Sequence, residues 1–193
     1  MNVTTGLITV WSHCQALPLG YDLWLHALTG DPAYLADALA IVRGIQRWLT
    51  VAPGGVLYEK GCEADPVCGW VSPPLPAACK CDNNQLVFKG IVVRYLRYLA
   101  DYLARLGLES AAAAAINRFV ALNAGSAYAL NRAGNGDFGV FWQGPVFGAV
   151  QANAGNTNQA VLDLFTAAAP PPPPPRLRRQ FPAAEQRIVT QKR

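Results

Sequence analysis

The chain is 193 residues long, 52% hydrophobic and 15% charged, so it falls in the size range of one globular domain with ample apolar material for a core, and it is not a disordered chain as a whole. No apolar run reaches the roughly 18 residues of a membrane-spanning helix, and Met1 to Val10 shows no basic segment ahead of a long apolar stretch, so neither a span nor a signal peptide is legible. The net charge of +4 is uneven: Arg176, Arg178, Arg179, Arg187, Lys192 and Arg193 against Glu185 give the tail +5 and leave −1 for residues 1–175, which denies the folded part the basic face that a nucleic-acid partner requires.

Periodicity predicts five helices in succession, joined by loops rich in Gly, Asn and Pro. The first spans about Gln15 to Leu28, with Leu23, Trp24 and Ala27 expected on one face. Thr29-Gly30-Asp31-Pro32 then reads as a stop and restart: Gly30 for a left-handed C′ position, Asp31 for capping, Pro32 for the first turn of a second helix. In that second helix Leu35, Ala38, Leu39, Val42 and Leu49 recur at three and four residues as one buried stripe. Gly54-Gly55 ends the pair and leads to a short extended piece, Val56 to Tyr58. The stretch from Lys60 to Asp82 reads as a long loop, and a loop of that length is usually functional or covalently stapled.

A third helix, about Gln85 to Leu106, carries Val92, Tyr95, Leu96, Leu99, Tyr102 and Leu106 on one stripe and closes at Gly107. Ser110 starts an alanine-rich fourth helix to about Leu130, with Ile116, Phe119 and Val120 facing inward. A glycine-rich loop from Asn131 to Asn156 precedes a fifth helix, about Thr157 to Ala168. Six consecutive prolines, Pro170 to Pro175, end the fold and predict a polyproline II rod of about 19 Å. The expected division is therefore a helical domain over 1–169 and a linker with a basic disordered tail over 170–193.

Cys62, Cys68, Cys79 and Cys81 crowd the long loop and leave Cys14 over. Two disulfides in an exported protein fit this layout, and a tetrathiolate zinc site is the rival. The spacing lacks a C-x-x-C knuckle, which favours disulfides, and no cofactor is expected.

Asp82-Asn83-Asn84-Gln85-Leu86-Val87-Phe88-Lys89-Gly90-Ile91, followed by Arg94-Tyr95-Leu96, resembles the D-x-x-Q-x-x-F-K-G-I-x-x-R-x-L segment of glycoside hydrolase family 76. Around it stand a W-[ST]-x-x-Q opening at Trp11 to Gln15, a T-G-D-x-x-Y-L turn at Thr29 to Leu35, and Gly55-Val56-Leu57-Tyr58-Glu59. Cys62-Glu63 and Phe138-Gly139-x-x-Trp142-x-Gly144-Pro145 complete the order, so the resemblance covers residues 11 to 168. One departure is His13-Cys14, where the family usually reads Tyr-Asn.

The resemblance implies an all-α, partial (α/α)₆ barrel, about five helices of twelve in antiparallel pairs with long loops. It also implies an endo-acting, retaining α-1,6-mannanase with mannan-type polysaccharide as its partner, secreted or cell-wall associated. The family's catalytic residues are two adjacent aspartates on an earlier segment. Every Asp in this sequence is isolated, and a retaining glycosidase needs two carboxyl groups about 5 to 5.5 Å apart, so no catalytic residue is expected here and the pair is expected upstream of Met1.

Sugar sites pair aromatic faces with hydrogen-bonding side chains. Trp142 fits the first role or plugs the barrel, and Phe88 is a platform or core. Gln15, Asp82, Gln85 and Lys89 fit the second role, with Asp82 equally an N-cap. Glu59 and Glu63 lack a partner for acid or base work. Two other readings stand beside the hydrolase: a non-catalytic glycan-binding or structural remnant of the same fold, and a zinc-stapled interaction module. Missing barrel helices would leave inner helix faces bare, so a large exposed apolar patch is expected.

Overall fold

The computed structural model describes residues 10–51, 55–63, 81–82, 84–144 and 154–170. Its helices are α1 (Ser12–Thr29), α2 (Pro32–Trp48), α3 (Phe88–Leu106), α4 (Ser110–Leu130) and α5 (Ala154–Ala168), with a two-stranded hairpin of β1 (Thr50–Val51) and β2 (Val56–Leu57). A 3₁₀ turn, Gln85–Val87, leads into α3. Among the described residues the regular structure is helical apart from the hairpin and one isolated bridge, Arg132 with Phe138, as the periodicity predicts.

The α1–α2 junction follows its residue grammar. Gly30 closes α1 at φ 71°, and Asp31 accepts the Ala33 N–H at 2.9 Å while Pro32 occupies the first helical position. Leu35, Ala38, Val42, Ile45 and Leu49 form the buried stripe of α2, with Leu39 half-buried beside them. Helix α3 is the centre of the molecule and packs against α1, α4 and α5. That position explains its broad buried surface, in which Val92, Val93, Leu96, Leu99, Ala100 and Leu103 are all sealed.

Contacts along the helices set their directions. From α1 to α3 they run His13–Phe88, Gly20–Tyr95 and His26–Tyr102, and from α3 to α5 they run Gly90–Ala160, Arg94–Asp163 and Arg97–Ala167. Rising numbers on both partners mean that α1, α3 and α5 lie parallel in one row. Helix α2 turns back along α1, and α4 turns back from α3 across to α5. The starts of the three parallel helices consequently share one end of the molecule.

Several expectations are corrected. Helix α1 begins at Ser12 and buries Ser12, Ala16, Leu19 and Gly20, whereas Trp24 is 71% exposed and Ala27 is exposed too, so Leu23, Trp24 and Ala27 do not share an inward face. Small residues on the α3 side allow the two helices to approach closely, and the large aromatic is turned outward. Leu106 lies in the last turn of α3 and is exposed. The third helix opens with 3₁₀ geometry, and α5 starts at Ala154, three residues before the predicted Thr157. The first hairpin strand, paired Thr50 with Leu57 and Val51 with Val56, carries no sequence signal because two residues are too few for a period to register. Buried Asn123 of α4 ties this hairpin down, accepting the Leu57 N–H at 2.7 Å and donating to the Phe119 carbonyl at 2.9 Å.

Cys62 and Cys81 form a disulfide, one of the expected staples. Cys68 and Cys79 lie outside the described residues, as do Pro171–Arg193 of the expected polyproline rod and tail. No helix among the described residues is long and apolar enough to cross a membrane.

Gly90 marks the closest approach of α3 and α5, since a Cβ there would sit 2.7 Å from the Ala160 Cα, a backbone atom that moves only with its helix. Gly44 on α2 has nothing within 4 Å of the same position. The two glycines therefore predict opposite signs: Gly90→Ala lowers stability by about 1–3 kcal/mol through overpacking, while Gly44→Ala raises it by about 0.5–1 kcal/mol through backbone entropy. Urea unfolding midpoints check both.

Candidate functional site

At the end where the parallel helices begin, segments far apart in sequence close around a sealed polar cluster. Helix α1 starts after Trp11, whose side chain caps nothing. Its first amide is served from a distance: Ser12 donates its N–H to Glu59 Oε2 at 3.2 Å and its hydroxyl to Glu59 Oε1. Glu59 is fully buried, on the segment leaving β2. The peptide turns at once, with the Cys62 and Glu63 amides both donating to the Glu59 carbonyl, which brings Glu63 back beneath it. The Glu59 N–H lies 3.3 Å from Glu63 Oε1.

Lys89, in the first turn of α3, neutralises Glu63. Its ammonium stands 2.6 Å from Glu63 Oε1, donates to the Val140 carbonyl at 2.5 Å, and lies 4.8 Å from the centre of the Trp142 ring. Three protons thus meet three acceptors: a carboxylate, a carbonyl and a π-face. Lys89 and Trp142 are only 2% and 1% exposed. The far oxygen of Glu63 is reached by Gln143 Nε2 at 3.4 Å, and Ser126 of α4 anchors the same loop by donating to the Trp142 carbonyl at 2.8 Å.

Two carboxyl groups and one ammonium share this interior, so full ionisation would leave a buried negative charge unpaired. Glu59 carries the consequence. Burial pushes its carboxyl up to about 7, the Ser12 hydroxyl draws it back, and Glu63 adds repulsion. Tyr58 beside it is raised as well, by burial and then by Glu63.

The six predicted contact residues divide by depth. Asp82 and Gln85 hold each other as a capping box. Asp82 Oδ1 accepts the Asn84 and Gln85 amides at 2.8 and 3.0 Å, and Gln85 Oε1 accepts the Asp82 N–H at 2.9 Å. Phe88 is half-buried, with the His13 ring stacked 3.6 Å away and the Trp11 ring edge-on at 5.6 Å. Burial lowers the His13 pKa. Gln15 is half-buried in the first turn of α1. Gln15, Asp82, Gln85 and Phe88 thus retain solvent access at one end of the row, while Lys89 and Trp142 lie sealed behind them. Sequence reasoning missed Ser12 altogether and assigned no role to Glu59 and Glu63. All three stand inside the quoted motifs, but their meeting depends on chain reversals that no local spacing encodes.

The Cys62–Cys81 bond joins the Glu59–Glu63 turn to the residue before the Asp82 cap. Two of the four thiols required by a tetrathiolate zinc centre are thereby consumed. Among the described residues no group of three or more His, Cys, Asp or Glu side chains is placed to hold a metal ion.

The model of glycosyl hydrolase family 76 matches residues 2–165 of the chain. No curated protein sequence matches it. Among solved structures, the α-1,6-mannanase GH76A of Salegentibacter sp. HEL1_6 superposes with a TM-score of 0.61 at 22% identity, over 82% of this chain and 39% of that one. An inactive variant of the same mannanase, two adjacent aspartates replaced by alanine and α-1,6-mannotetrose bound, gives the same values. The corresponding asparagine variant with α-1,6-mannotriose gives 0.60 at 22% identity over the same shares. At this identity the likeness concerns the fold, and the chain spans 39% of the length of the structures it matches.

The pKa of Glu59 sets the sign of a pH dependence. Because the folded value lies above the ordinary 4.5, its contribution to stability is complete below pH 4.5 and is lost as pH rises toward 7. The loss amounts to about 3 kcal/mol. Glu59→Gln keeps the volume and removes the charge, so its thermal midpoint between about pH 5 and 8 should stay level while the wild-type midpoint falls. Glu63→Gln strands the Lys89 ammonium and should cost about 3–5 kcal/mol at any pH in that range.

Proposed function

Because the chain belongs to glycosyl hydrolase family 76, we propose that it forms one wall of a site for α-1,6-mannan in an endo-acting, retaining glycoside hydrolase fold. The observation that carries the reading is the convergence of the family-like motif segments on one end of the α1–α3 row. Gln15, Asp82, Gln85 and Phe88 supply the polar and aromatic contacts, and Lys89 and Trp142 form the rigid floor. A pyranose needs hydroxyl partners and an apolar face within one cleft, and this end offers both. The disulfide supports an oxidising compartment, hence a secreted or wall-associated setting.

Glu59 and Glu63 are not assigned to the glycosidic bond. Both are sealed from solvent, one held by Ser12 and the other paired with Lys89, so neither can reach a substrate oxygen. Retaining hydrolysis requires two accessible carboxyl groups about 5 to 5.5 Å apart, and the sequence contains no adjacent aspartates. This chain therefore holds sugar without cutting it, and hydrolysis requires carboxylates supplied from elsewhere.

Titration calorimetry with α-1,6-mannotetraose, beside chromatography of the same mixture, tests this. Saturable binding without shorter products is expected, with Gln15→Ala weakening affinity by about 3–10-fold, the value of one hydrogen bond. Release of mannose or mannobiose by the purified chain would reassign the roles of the carboxylates. Failure to bind would leave the structural-remnant reading in place of the sugar site.

A further inference from the structure

The start of α1 is held by a side chain outside its own helix. Trp11 caps nothing, so the Ser12 amide and hydroxyl depend on Glu59, which lies 47 positions away and is fully buried. The two sides of this contact are anchored unequally. Glu59 sits in a turn closed by the Cys62 and Glu63 amides, tied by the Cys62–Cys81 bond, and it follows a hairpin that Asn123 holds. The first turn of α1 is a helix end, where opening costs least. It carries Gln15, and it carries His13 stacked 3.6 Å from Phe88. Asp82 and Gln85 of the same rim are fixed separately by their own capping box.

We propose that Glu59 is a positioning residue for the sugar rim: in its protonated form it holds the first turn of α1 shut through Ser12, and losing that proton releases Gln15 and His13. The proposal rests on the sugar-site reading above and adds its regulation. In the neutral acid Oε2 accepts the Ser12 amide while Oε1 and the hydroxyl bond to each other, so the contact is complete without charge. Ionisation places a second carboxylate beside Glu63, with Tyr58 adjacent and with Lys89 already committed to Glu63. Burial lowers the His13 pKa as well, so the turn itself brings no cation at neutral pH. Opening the turn admits water to the carboxylate and relieves both desolvation and repulsion. Linkage gives the sign: a group held at about 7 when sealed and near 4.5 when open drives opening as pH rises through that interval, by up to about 300-fold in the opening equilibrium.

Residue-resolved hydrogen exchange of the whole chain, paired with calorimetric titration of α-1,6-mannotetraose, tests this from pH 4.5 to 8. Corrected for intrinsic rates, protection of residues 12–16 should fall as pH rises to 7 while Leu96 and Leu99 of α3 exchange far more slowly throughout, and affinity should fall about 3–10-fold over the same interval. Glu59→Gln should abolish the change in protection and keep the affinity of the acid form at neutral pH. Because the Ser12 hydroxyl draws the Glu59 carboxyl down, Ser12→Ala should carry the loss of protection to higher pH. Equal exchange of the first turn and of Leu96 and Leu99 makes the opening global and overturns the proposal, as does a Glu59→Gln chain that follows the wild-type profile. Binding indifferent to pH overturns the role of Glu59 alone, whereas loss of protection with no saturable binding at any pH overturns the sugar site and its regulation together.

Discussion

A charge imbalance in a sealed space organises this molecule. Glu59 and Glu63 lie in the interior with Lys89 as their cation, and desolvation makes an extra buried negative charge too costly to keep. The fold resolves the imbalance by leaving a proton on Glu59 over the acid range and by giving Lys89 a complete set of partners. Those partners come from two distant parts of the chain: Glu63 from the turn after β2, and the Val140 carbonyl and Trp142 ring from the loop before α5. The relative positions of α1, the hairpin and α3 are thereby set by polar bonds with defined directions, while the apolar contacts of Leu96, Leu99 and Leu103 supply the bulk of the burial.

Directional contacts matter here because apolar packing tolerates sliding. A row of parallel helices could shift by a turn and still bury leucines. Several contacts pin the register of the row: the glycine approach at Gly90, the pair Arg94–Asp163 at 2.6 Å, and the bonds from Arg97 to the Ala167 and Ala169 carbonyls at 2.8 and 2.7 Å. With the register held, the starts of α1 and α3 stay level, and level helix starts place Gln15, Asp82, Gln85 and Phe88 at a common rim. A site on helix termini inherits the rigidity of the helices while keeping its polar edges wet.

Much of the fold was legible in the sequence. The caps at Gly30 and Asp31, the stripe of α2 and the inward residues of α4 follow from local rules that the structure obeys. The face of α1 was not legible, because Trp24, its largest side chain, points outward, while Ala16, Leu19 and Gly20 form the buried side. Periodicity ranks residues by hydrophobicity, and where two helices come close the small ones win. The site was legible in its parts only. Lys89 reads as a surface donor until Glu63, 26 positions earlier, is known to lie 2.6 Å from it, and Ser12 has no local partner to betray its role. Asp82 is the converse case: its capping reading needed only the glutamine three residues on, and it is the reading the backbone adopts.

The Cys62–Cys81 bond has a consequence beyond stapling. It ties together two points 19 positions apart in sequence, one inside the Glu59–Glu63 turn and the other immediately before the Asp82 cap. Whatever is inserted or deleted after Glu63 and before Cys81, the chain is returned from the Glu59–Glu63 turn to the start of the Asp82 cap. The Glu63–Lys89 pair and the Asp82–Gln85 cap are thereby buffered against changes of length between Glu63 and Cys81, because a covalent bond and not the course of the intervening chain fixes the point of return.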